Sequence, residues 1–124
     1  MSERKFAVKL TEGQSVEFTR CDPTLEVFDN ARRLIGCDMI EIIHMRENIG
    51  KGFVMLVDEE AKLKGNRNIN CIASHLYGSQ KHGDPLVGHV VIVADAGDEL
   101  QLLTSEEASR LTFILKYMRD ASVE

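Results

Sequence analysis

No stretch of this chain approaches the run of apolar residues that a membrane-spanning helix requires. No two of its three cysteines, Cys21, Cys37 and Cys71, stand in a CxxC pair. An odd, scattered set of thiols argues against a disulfide framework and a zinc knuckle, and predicts reduced cysteines and no metal or cofactor. The opening Met1-Ser2-Glu3-Arg4-Lys5 is charged and lacks the apolar core of a signal peptide, which predicts a cytoplasmic protein. Excess positive charge is also missing: the net charge of −5 disfavours nonspecific attraction to nucleic acid over the whole surface. There is no internal repeat, low-complexity segment or interdomain linker, and no βαβ rhythm.

What is present is ordinary globular composition, 44% hydrophobic and 28% charged over 124 residues, enough for one core and one domain spanning 1–124. Phe6 to Leu10 and Val16 to Thr19 read as a hairpin around Thr11-Glu12-Gly13-Gln14, with the glycine supplying the permissive backbone. Asp22-Pro23 predicts a helix start, followed by Leu25, Phe28, Ala31, Leu34 and Ile35 at helical spacing and ended by Gly36. Met39 to Met45 and Phe53 to Val57 read as antiparallel neighbours joined by the turn-forming Asn48-Ile49-Gly50-Lys51-Gly52.

A polar connection from Lys62 to Asn68 leads to Ile69, Ile72, Ala73 and Leu76, whose spacing predicts a short helix capped by Asn68 or Asn70. After a loop from Gly78 to Pro85, Val87 to Val93 is the most strand-like run, with Gly88 marking a bulge or a close backbone approach. Thr104-Ser105-Glu106-Glu107 matches a capping box, and Ala108, Leu111, Ile114, Leu115 and Met118 form the stripe of the helix it opens. The order predicts an α+β fold: a mainly antiparallel sheet of four to five strands, two longer helices covering one face, and one short helix.

Charge is the one visible asymmetry. Between Ala61 and Gly83 stand Lys62, Lys64, Arg67 and Lys81, with His75 and His82 and no carboxylate, leaving −9 for the rest of the chain. Such a patch attracts an anion, and Asn70, Ser74 and Tyr77 add neutral hydrogen-bonding groups beside the start of the short helix. Lys62, Lys64, Arg67, Asn70, Ser74 and Tyr77 are therefore the candidate ligand-binding residues. The plain alternative is that the lysines are solvated and the asparagines cap and turn the backbone. The loop has no GxxxxGK[ST] phosphate cradle. His44, His75, His82 and His89 have no recognised ligand spacing with the cysteines, and Asp58-Glu59-Glu60 reads as a solvated strand end. Binding is thus favoured over catalysis.

Asp58 to Gly65, Asn70 to Tyr77 and Asp84 to Val93 together resemble a domain-of-unknown-function family found in phages, plasmids and bacterial genomes carrying mobile elements. The likeness covers Met39 to Leu111. It departs where Gly65 is followed by Asn66 without an intervening proline, and where Cys71 replaces an arginine after Asn70; Arg67 is the residue that would take that arginine's place. The resemblance implies a small accessory protein of a mobile element and supplies no reaction; with the composition it predicts a noncatalytic protein in the cytoplasm of a bacterial host. Joined to the cationic segment, it predicts sequestration of a phosphorylated small molecule or nucleotide signal. The alternative is an interaction module that inhibits or recruits a host protein through its acidic surface. Small size and sheet edges also suggest a homodimer.

Overall fold

The computed structural model describes residues 3–45, 51–78 and 84–121. Strands β1 (Arg4–Leu10) and β2 (Val16–Arg20) form the expected hairpin, closing with Leu10 opposite Val16. Its left-handed residue is not Gly13 but Gln14, at φ 69°. The Gln14 side chain holds that conformation, with Nε2 donating to the carbonyls of Glu12 (2.9 Å) and Ile69 (2.8 Å) and Oε1 accepting from the Cys71 amide at 2.9 Å.

Helix α1 (Val27–Ile35) starts later than Asp22-Pro23 predicts. Asp22 folds back instead, its Oδ1 accepting from the amide and hydroxyl of Thr24, while the buried Asn30 side chain accepts from the Asp22 amide and donates to its carbonyl, both at 2.9 Å. The helix ends as expected, at Gly36 in the left-handed region.

Strands β3 (Ile40–His44) and β4 (Phe53–Asp58) pair antiparallel; the Asn48-Ile49-Gly50 part of their predicted turn lies outside the described residues. Helix α2 (Cys71–Tyr77) is capped by Asn70, and β5 (Val90–Asp95) begins beyond Gly88, which sits at φ +83° ahead of the strand. Two short strands, β6 (Leu100–Gln101) and β7 (Leu103–Thr104), precede helix α3 (Ser105–Ala121). The capping box closes as predicted: Glu107 N donates to Thr104 Oγ1 at 3.1 Å, and Thr104 N donates to Glu107 Oε1 at 3.0 Å. Burial alone would raise the Glu107 carboxyl, but the Thr104 amide and the Arg4 guanidinium outweigh it and hold it below its ordinary 4.5.

All pairings are antiparallel, in the order β2-β1-β5-β4-β3, with β6 on β5 and β7 on β1. The fold is α+β as expected, but the sheet has seven strands among the described residues rather than four to five, because the two short strands extend β1 and β5. The longer helices also do not share a face. Val8, Leu10, Met55, Val57, Val90 and Ile92 pack with α2 and α3, whereas Ala7, Val54, Leu56, Val91 and Val93 pack with α1. Covering both faces explains why β4 and β5 are continuous apolar runs instead of alternating ones. Each large side chain withdrawn from water contributes about 1.5–3 kcal/mol, which makes this central pair the mechanical anchor for the loops at its ends.

Candidate functional site

The strongest gathering of polar groups lies where four segments meet: the β1–β2 turn, the end of α1, the connection after β4, and the backbone entering β5. Asp58 terminates β4, its Oδ1 accepting from the Glu60 amide at 2.9 Å and its Oδ2 from Lys64 Nζ at 3.0 Å. That ion pair raises the Lys64 ammonium above its ordinary value, chiefly through the Asp58 hydrogen bond. The chain then turns at Gly65, φ +84°, and presents Asn66 and Asn68. Their side-chain amides donate to the two oxygens of Glu12, each at 3.2 Å, and Asn66 Oδ1 accepts from the Asn68 amide at 2.8 Å.

Glu12 in turn donates its backbone amide to His89 Nδ1 at 3.2 Å. A ring nitrogen that accepts carries no proton, so the neutral imidazole bears its hydrogen on Nε2. Glu12, Asp58, Lys64, Asn66, Gly88 and His89, with Ile35 and Ala61 as apolar wall, enclose a hollow of about 280 Å³. Two carboxylates face one lysine there, so its interior is acidic on balance.

The six residues singled out by sequence are dispersed. Lys64 lines the hollow. Lys62 is exposed beside a smaller hollow of about 160 Å³ that shares Asp58 and Ala61 with the first, and is also lined by Glu41 and Glu59. Arg67 is exposed and makes no ion pair among the described residues. Asn70 has no solvent-accessible surface: Nδ2 donates to the carbonyls of Leu10 and Gly88, both at 2.9 Å, and Oδ1 accepts from the Ala73 amide at 3.2 Å. Ser74 is buried on the inward face of α2, its hydroxyl bridging the Leu86 amide and carbonyl. Tyr77 ends α2, half-buried against the core on the α3 side. Asn70 and Ser74 thus brace the scaffold, and Lys81 and His82 lie outside the described residues.

Glu12 and His89 were not among the sequence candidates. The signal that finds them is register: Leu10 pairs with Val90, so continuing the β1–β5 ladder outward sets Thr11 opposite His89 and leaves Glu12 one position beyond, where its amide reaches the ring. Elsewhere, burial pushes the Cys21 and Cys37 thiols up, which disfavours the thiolate a nucleophile needs. No group of three or more metal-ligating side chains assembles among the described residues, and none of their helices is long and apolar enough to cross a membrane.

Set beside known proteins, the chain belongs to DUF3846, a domain of unknown function, whose match covers residues 5–116. The match runs from β1 into α3 and so contains every residue lining the hollow. No curated protein and no solved structure matches the chain.

Proposed function

We propose that this domain is a noncatalytic small-molecule-binding protein, an accessory protein of a phage or other mobile element, and that its ligand is nucleoside-like and seated in the Glu12–Asp58–Lys64–His89 hollow. The observation that carries this reading is the convergence of unsaturated polar groups from four segments on one concave site. A carboxylate offers about four lone-pair sites. Glu12 accepts from two side-chain amides and Asp58 from one backbone amide and one ammonium, so each retains capacity for a ligand's N–H or O–H. Lys64 and the Nε2–H of His89 supply donors for a ligand's carbonyl or ring nitrogen.

This assignment refines the anion expectation. A phosphate would be repelled by Glu12 and Asp58 inside the hollow, and fits only outside it, toward the exposed Lys62 and Arg67 of the connection that also carries Lys64 and Asn66. A nucleotide satisfies both requirements, with its base inside and its phosphate at the edge. The volume, close to the lower end for small-molecule sites, suits a ligand of that size or smaller.

Thermal unfolding against a panel of nucleobases, nucleosides and nucleoside monophosphates tests the reading. At a hundredfold excess over Kd, a true ligand stabilises the folded state by about 2.7 kcal/mol, a rise of roughly 10 °C in Tm for a domain of this size. Asp58→Asn keeps an acceptor for the Glu60 amide but removes the charge, and is expected to lose most of that rise. A specific observation also favours the second reading, recruitment or inhibition of a host protein. The edge strand β3 exposes Ile42 and Glu41, flanked by exposed Met39, Asp38 and Glu59. A flat response to the whole panel, together with salt-sensitive co-purification of a host protein, would transfer the assignment to that edge.

A further inference from the structure

Helix α3 buries Ala108, Leu111 and Leu115 against the sheet. At 100° per residue, the pole opposite that stripe falls on Phe113 and Tyr117, one turn apart. Both rings stand in solvent, 74% and 71% exposed. Scattered exposed apolar residues are normal, but two adjacent aromatic side chains on the outermost line of a helix form a patch. Next to it, Ile72, Tyr117, Met118 and Ala121 line a mostly apolar hollow of about 300 Å³ between α2 and α3.

The geometry points to a second copy of this chain as the occupant, with the two α3 helices antiparallel about a two-fold axis near Leu115. Over the described residues, the charges beside the rings favour this arrangement. Arg110 lies three residues before Phe113 and Asp120 three residues after Tyr117, both exposed. In this register Phe113 of each copy meets Tyr117 of the other, and Arg110 of each meets Asp120 of the other, twice over by symmetry. A parallel pairing sets Arg110 against Arg110. An antiparallel pairing centred on Phe113 sets Glu106 against Asp120 and Arg110 against Lys116, all like charges.

Asp120 Oδ1 already accepts from Arg119 of its own helix at 3.0 Å, leaving the second oxygen for the partner's arginine. Each Phe113 is also brought beside the mouth of the other copy's apolar hollow. The rings supply the burial, and the exposed ion pairs chiefly fix orientation.

Sedimentation equilibrium over a concentration series reads the result. The wild-type chain is expected to be a dimer, and Phe113→Glu to be a monomer with unchanged far-ultraviolet circular dichroism. Arg110→Asp converts two attractive pairs to repulsive ones and should raise the dimer Kd about tenfold or more. Combining it with Asp120→Arg should restore the Kd to within about threefold of wild type, an outcome general stickiness of the aromatics would not give. A wild-type chain that stays monomeric up to about 1 mM, or a charge swap that fails to rescue, would overturn the proposal. The ligand-induced thermal shift is read separately, so this pairing and the nucleoside site succeed or fail independently.

Discussion

Asn70→Asp is expected to destabilise the folded domain by about 4 kcal/mol or more, and Asn70→Ala by about 3 kcal/mol. As a helix cap alone, aspartate is as good as asparagine, and the replacement would be almost neutral. The structure asks more of this residue. Its Nδ2 amide donates to two carbonyls, Leu10 O on β1 and Gly88 O on the approach to β5, at a position with no solvent access. A carboxylate turns both donations into contacts between acceptors and puts a charge at a position withdrawn from water. Protonation restores one donor at most. Alanine removes the repulsion but still leaves two carbonyls and the Ala73 amide without the side chain that satisfied them. Urea unfolding of the three proteins measures the order directly. An Asn70→Asp variant within about 1 kcal/mol of wild type would mean that capping is the residue's whole contribution.

Gly88→Ala is expected to cost about 2 kcal/mol and to weaken ligand binding in the hollow. The backbone at φ +83° is strained for any residue with a Cβ, by about 1–2 kcal/mol. The added atom would also stand 3.1 Å from Asn66 Nδ2, the amide that donates to Glu12. Asn66 must give by a few tenths of an ångström to admit it, which stretches its 3.2 Å hydrogen bond to the carboxylate. Gly52 provides the control, because at φ +86° it carries the same strain, its Cβ would meet nothing within 4 Å, and it does not line the hollow. Gly52→Ala should therefore show the strain alone, and a loss in Gly88→Ala no greater than that would remove the structural link between Gly88 and the site.

The sequence reading was most accurate where one local signal decides the structure. The reciprocal Thr104–Glu107 cap, the left-handed Gly36 and the Asn70 cap each rest on residues within a few positions of one another. It failed where a local signal had a competitor. Asp22-Pro23 has the chemistry of a helix start, yet the aspartate engages Thr24 in a tight turn while Asn30 braces the backbone from eight residues away. Leu100–Gln101 and Leu103–Thr104 are too short to display any period. The split of the helices between faces was written in β4 and β5, since a strand covered on both sides does not alternate, but helix stripes do not say which face they meet.

The site was legible only in part for a similar reason. Lysines adjacent in sequence suggested an anion patch, whereas Lys64 is matched by Asp58 in space. Glu12 and His89 lie 77 positions apart and come together only through the pairing of β1 with β5. Asparagines 66, 68 and 70 looked alike in the chain. Two hold Glu12 and the third is buried as a brace between two strands.

Native mass spectrometry of the protein purified from a bacterial host, compared before and after denaturation, tests the ligand assignment most directly. A retained mass in the range of a nucleobase to a nucleotide is expected on the wild-type chain, lost on denaturation and absent from Asp58→Asn. A clean ligand-free mass for the wild-type chain that persists after incubation with the nucleoside panel would contradict the assignment of this hollow as a binding site.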